Sequence, residues 1–314
     1  MKLDLQRTAF VFPGQGSQTV GMGRELADQF PVVKQTFEEA DSILGFALSK
    51  LMKDGPVDEL NETVNTQPAL FVHSLAAQRA FAHLYPDLKP AFMAGHSLGE
   101  LSALAAAGAL SFADGLRLVR KRGELMKRAG ELAPGSMAAI LGLDIPTLDN
   151  VCAEATAENE IVQVANDNCP GQVVISGAKA AVERAMTAAK AAGAKRALPL
   201  AVSIAAHSPL MASIQDEWND AVLHATFTGF QIQVVGNVHA KPLVDEAAAR
   251  NDIMAQMQSR VRWTESIKHM SAQGITAFVE VGTGSVLGGL IKRIAEGSTS
   301  FTLGTPQDFA SLAE

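Results

Sequence analysis

A chain of 314 residues is long enough for a large core plus an inserted unit, and its two cysteines, Cys152 and Cys169, form no C-x-x-C pair, which excludes a disulfide scaffold and suits a reducing cytosol. A net charge of −7 argues against binding along a phosphate backbone, so no nucleic-acid partner is expected. Residues 1–7 hold no apolar leader core and no later run reaches the apolar length of a bilayer crossing, so a soluble cytoplasmic protein without a membrane partner is expected.

Residues 8–12 (Thr-Ala-Phe-Val-Phe) read as a buried strand running into the glycine-bearing loop 13–18. Thr19 stands where a dinucleotide fingerprint needs its third glycine, and no G-x-x-x-x-G-K-[ST] occurs, so nucleotide binding is a weak reading. From 31 to 84 the pattern is mainly helical, with Asn65-Thr66-Gln67-Pro68 opening a helix over 69–84 whose His73 and His83 are packing or surface residues. Residues 91–108 then give a short apolar strand, a sharp turn and an Ala/Leu-rich helix. Within it Gly95-His96-Ser97-Leu98-Gly99 fits the G-x-S-x-G elbow, which lifts a serine hydroxyl out at the carboxyl edge of a parallel sheet. The pentapeptide alone recurs by chance; the strand before it and the helix behind it favour a nucleophile whose oxyanion would meet free helix N–H groups.

A helix over 115–129 places Leu118, Val119, Leu125, Met126 and Ala129 within about 120° of one another, counted at roughly 100° per residue. Arg122 falls inside that apolar arc. A guanidinium turned into a core needs an anion, either a buried Asp or Glu or the carboxylate of a ligand, and the pattern alone leaves both open. Residues 133–204 have their own rhythm of strand, helix, two strands, helix and strand, a ferredoxin-like β-α-β-β-α-β unit inserted into the larger one. Asn166 and Asn168 in it read as turn formers. The large domain is thus expected over 1–132 and 205–314, and the small one over 133–204.

His207 follows a strand end and precedes a Ser-Pro turn, the best-placed of seven histidines for a general base to Ser97. No convincing third acid accompanies the pair. Residues 230–238 and 276–281 read as further strands and Gly282-Thr283-Gly284-Ser285 opens a terminal helix to 294. Beyond 298 a peripheral tail is expected.

Five stretches together, Phe10-Val-Phe-Pro-Gly-Gln-Gly-Ser-Gln18, Gly95-His-Ser-Leu-Gly-Glu100, Asn168-Cys-Pro-Gly-Gln-Val-Val-Ile-Ser-Gly177, His207-Ser-Pro-Leu-Met211 and Glu280-Val-Gly282, resemble the malonyl-CoA:acyl carrier protein transacylases and the related acyltransferase domains of polyketide synthases. The resemblance implies an α/β-hydrolase-like large domain with a parallel sheet, a ferredoxin-like small domain, and an active site between them. It implies a ping-pong transfer in which Ser97 takes malonyl from coenzyme A and passes it to a phosphopantetheine thiol of acyl carrier protein in fatty acid biosynthesis, with no metal and no resident cofactor, the coenzyme A thioester being substrate. Carried over by position, Ser97 is the nucleophile, His207 its base and acid, Gln15 and Leu98 supply oxyanion-hole N–H groups, Arg122 meets the malonyl carboxylate with Met126 as pocket neighbour, and Gln256 offers the main-chain carbonyl that orients the histidine. A monomer is expected. Lys195, Arg196, Lys292 and Arg293 are candidates for a basic rim facing an acidic carrier. Ala206 stands where relatives usually carry Ser or Phe, Leu101 replaces a frequent tyrosine, and Arg260 stands where a proline is common. A trans-acting polyketide-pathway acyltransferase, a serine thioesterase or hydrolase, and a non-catalytic docking subunit are the competing readings.

Overall fold

The computed structural model describes residues 3–313; residues 1, 2 and 314, the extremes of the expected large domain, lie outside them. Among the described residues nine strands form two sheets. The strands are β1 (Thr8–Phe12), β2 (Phe92–Gly95), β3 (Gly135–Leu141), β4 (Val162–Cys169), β5 (Gln172–Ala178), β6 (Arg196–Pro199), β7 (Gln233–Val235), β8 (Ala277–Val281) and β9 (Thr299–Leu303). The first sheet runs β7-β2-β1-β8-β9 with every pair parallel. Its central strands are buried on both faces, as the unbroken apolar run Ala9-Phe-Val-Phe12 requires. The chain lays β2 and β7 on one side of β1 and then crosses to lay β8 and β9 on the other, and a crevice opens at the carboxyl ends where Phe12 pairs with Gly95.

The second sheet is antiparallel, β4-β5-β3-β6, with the helices Ile145–Ala155 and Lys179–Ala191 packed on one face. This is the expected β-α-β-β-α-β order. Residues 200–203 leave β6 without extending it, so the last strand is only four residues long. Two skipped residues interrupt the β4–β5 ladder: Ala165, between the rungs at Val164 and Asn166, and Asn168, between those at Asp167 and Cys169. Asn166 and Asn168 therefore sit within a bulged strand and not in a turn.

Three further expectations are corrected. The helix assigned to 69–84 spans Thr63–Leu84 with Pro68 inside it. Proline removes the donor that Val64 O would have met, and Arg120 Nη1 takes that carbonyl at 3.1 Å instead. The strand read over 230–238 is only Gln233–Val235. Past Ser298 the chain is no tail: β9 closes the parallel sheet beside β8, and the helix Pro306–Ala313 buries Phe309 and Leu312 in the main core.

Candidate active site

β2 stops at Gly95 and the helix Gly99–Ala106 begins four residues later, so the turn between them is tight. A β-carbon on Gly95 would run into the Gly99 carbonyl group, and one on Gly99 into the Phe12 carbonyl. Both glycines are thus needed for strand and helix to approach this closely. Ser97 takes φ +53°, a left-handed conformation that a residue with a β-carbon adopts at a cost, and this projects its hydroxyl into the crevice.

His207 arrives from the opposite side, on the loop after the small sheet, also with a left-handed φ of +59°. Its Nε2 lies 2.8 Å from Ser97 Oγ. Its Nδ1 faces two main-chain carbonyls, Gln256 O at 2.9 Å and Ser259 O at 3.2 Å. Carbonyls only accept, so Nδ1 carries the proton and Nε2 is left as the acceptor for the serine hydroxyl. Burial, reinforced by the Arg122 charge, pushes the His207 pKa down to about 3, so the ring is neutral near pH 7. Among the described residues no acidic side chain meets Nδ1; the Gln256 and Ser259 carbonyls do.

Arg122 sits on the buried face of the helix Phe112–Leu132 with Leu118, Val119, Leu125, Met126 and Ala129, the face read from periodicity. It is 2% exposed, yet among the described residues it makes no ion pair. Nη2 donates to Gln256 Oε1 at 2.9 Å and to Ser97 Oγ at 3.1 Å, and Nη1 donates to Gln67 Oε1 at 3.0 Å and touches Met126 Sδ at 3.4 Å. Burial lowers its pKa to about 10, still leaving it charged. The guanidinium is therefore held by neutral amide oxygens beside the serine, its charge uncompensated by an ion pair.

Gln15 lies in the exposed loop after β1, its side chain donating to Thr63 Oγ1 at 3.2 Å, and Leu98 caps the helix Gly99–Ala106. The two loops leave adjacent strand ends, and the Gln15 and Leu98 amides donate to no protein group among the described residues. Beside Gln15 a groove of about 640 Å³ runs between Thr63, Lys127 and residues 200–204 returning from the small sheet. His96 turns away from this space: its Nε2 lies 2.8 Å from Asn168 Oδ1, and its ring meets Trp263 edge-on.

Several residues that build the site were not singled out from sequence. Gln67 closes over Arg122 and Met126. Asn237, 1% exposed, accepts from the Ser97 amide at 2.8 Å and donates to Gly95 O at 2.7 Å, spanning the elbow. Asp252 accepts from the amides of Asn237 and Val238. The Gln256 side chain donates to Ser97 O at 2.9 Å and to Glu100 Oε2 at 2.7 Å. Burial, with Asp252 beside it, raises the Glu100 carboxyl well above the usual carboxylate range. All four basic-rim candidates, Lys195, Arg196, Lys292 and Arg293, are exposed, and Arg293 also donates to Gln172 Oε1 and Pro170 O, both at 2.7 Å.

The family model for the acyl transferase domain matches residues 9–303. The malonyl CoA-acyl carrier protein transacylase of Escherichia coli (strain K12) is 47% identical over 306 residues, which cover 98% of this chain and 98% of that protein. The crystal structure of an acyl carrier protein S-malonyltransferase from Vibrio cholerae superposes with a TM-score of 0.95 at 45% identity, over 98% of this chain and 100% of that one. A malonyl-transacylase solved in complex with its holo acyl-carrier protein, from a type II polyketide synthase system, matches with a TM-score of 0.93 at 44% identity, over 98% of each chain.

Proposed function

Because the chain belongs to the acyl transferase domain family over nearly its whole length, we propose that it is an [acyl-carrier-protein] S-malonyltransferase, moving malonyl from malonyl-CoA to the phosphopantetheine thiol of acyl carrier protein in fatty acid synthesis. Ser97 is the nucleophile. Its proton passes to His207 Nε2 as Oγ attacks the thioester carbonyl carbon, and the amides of Gln15 and Leu98 receive the oxyanion. Collapse breaks the carbon–sulfur bond, and the imidazolium returns the proton to the departing coenzyme A thiolate. In the second half the carrier thiol gives its proton to His207, attacks the Ser97 oxyester, and Oγ leaves carrying that proton back.

The observation that carries the malonyl assignment is Arg122: a buried, fork-shaped cation without an ion pair, 3.1 Å from the serine oxygen, suits the far carboxylate of a dicarboxylic acyl group. Met126 lines that pocket, and Gln256 holds both Arg122 and His207. The chain divides into a catalytic domain of residues 1–132 with 205–314 and a small domain of residues 133–204, and one copy contains every residue named, so a monomer suffices. A cytoplasmic location fits two free, buried cysteines, and no helix among the described residues is long and apolar enough to cross a membrane. The malonyl-transacylase solved with its type II polyketide carrier makes service to a polyketide carrier the second reading. The test offers malonyl-, methylmalonyl-, acetyl- and butyryl-CoA with and without carrier proteins of each pathway and weighs the enzyme by mass spectrometry. A malonyl mass on the Ser97 peptide, discharged by carrier faster than by water, is expected; carrier-independent hydrolysis would make the chain a thioesterase.

A further inference from the structure

The last turn of the helix Glu246–Gln256 and the segment after it carry the two carbonyls that hold His207 Nδ1, those of Gln256 and Ser259. It is fastened to the small subdomain. Val261 donates to Ala165 O at 2.8 Å and accepts from the Asp167 amide at 2.9 Å, adding one parallel rung to the free edge of β4. Ala165 is one of the two residues that the β4–β5 ladder skips, and its carbonyl is the one this rung uses. Gln163, two residues earlier on β4, donates from Nε2 to Gln258 O at 3.0 Å and to the carbonyl of His207 itself at 2.8 Å. Arg260 forms an ion pair with Asp149 on the helix Ile145–Ala155 and reaches Val164 O at 3.5 Å.

We propose that Gln163 and the Arg260–Asp149 pair are positioning residues through which the edge of the small sheet clamps the His207 acceptors, and so sets the tautomer and aim of the imidazole. The proposal rests on His207 being the base for Ser97. Arg260 and Asp149 are partly exposed, so their pair adds little to stability, and its removal loosens the loop without unfolding the chain. What it changes is geometry: a reacting group misplaced by about 1 Å loses on the order of 100-fold in rate. Gln163 is the stronger of the two devices, because one amide ties the histidine's own backbone and the acceptor loop to the same strand.

The full-length variants Gln163→Ala, Arg260→Ala, Asp149→Ala, the double Arg260→Ala/Asp149→Ala and the charge swap Arg260→Asp/Asp149→Arg are compared with His207→Ala for malonyl transfer and for melting temperature. Gln163→Ala is expected to lower kcat by about 10- to 100-fold with KM for malonyl-CoA within about twofold. The single variants at 260 and 149 should lose equally, the double no more than either, and the swap should recover most of kcat. Wild-type kcat in both Gln163→Ala and Arg260→Ala, or losses carried by KM alone, overturns the clamp. Should Gln163→Ala fail to fold, Arg260→Ala and the swap decide. An inactive His207→Ala beside unaffected clamp variants removes the clamp and leaves the base assignment standing; a fully active His207→Ala removes the base assignment.

Discussion

Replacing Arg122 with alanine separates recognition of the acyl tail from chemistry at the carbonyl. Arg122 is 2% exposed and its fork is supported by Gln67 and Gln256, so a malonyl carboxylate meeting it is an ion pair shielded from water. Removing one partner of such a pair costs about 3–5 kcal/mol, or roughly two to three and a half orders of magnitude in kcat/KM for malonyl-CoA. For acetyl-CoA the same substitution removes a buried charge that had no partner in the acyl group, so transfer is retained or improved. Truncation also strands the Gln67 and Gln256 carbonyl oxygens, at about 1–3 kcal/mol each in stability, which lowers the folded fraction. The ratio of malonyl to acetyl kcat/KM is independent of that fraction. It is measured by coenzyme A release with both substrates on one preparation, and Arg122→Lys, which keeps charge but loses the fork, should fall between. A ratio unchanged from wild type in Arg122→Ala would refute the carboxylate assignment.

Asn237 bridges the half-buried Ser97 N–H and the buried Gly95 O, so Asn237→Ala should lower the unfolding free energy in urea by about 1–3 kcal/mol; unaltered stability would mean the elbow holds its own conformation. His73 and His207 are both buried, with pKa values pushed down by burial to about 4 and about 3, against roughly 6.5 when unfolded. The unfolded chain thus binds protons the fold refuses. Their stabilising contributions are complete above about pH 6.5 and fade as pH falls toward 4 and 3, at up to about 1.4 kcal/mol per pH unit each. Melting temperatures from pH 7.5 to 5 should drop, and less steeply in His73→Asn, which lies outside the active site; parallel curves would remove His73 from the account.

The proposed nucleophile and carboxylate partner were legible because each leaves a local signature. Ser97 needs glycines two residues to either side, and Arg122 violates the apolar arc of its own helix, which a count of periodicity detects. The residues that hold them leave none. Asn237 lies 140 positions from Ser97 and Gln163 lies 44 from His207, and nothing in a run of neighbours marks an asparagine or glutamine as a brace and not a surface residue. The edge strand Thr299–Leu303 was missed for a related reason: five residues of mixed burial on the rim of a sheet give neither alternation nor an apolar run. Gln67, and the side chain of Gln256, a residue named from sequence for its main-chain carbonyl, show why the omission is systematic. A buried guanidinium invites a search for Asp or Glu, but the groups that receive it are the side-chain amides of Gln67 and Gln256, whose oxygens fix its orientation and carry no charge. A carboxylate there would have neutralised the cation and removed its use in recognition. A site that must bind an anionic group is built from neutral acceptors, and neutral acceptors are the residues that composition and charge patterning detect least.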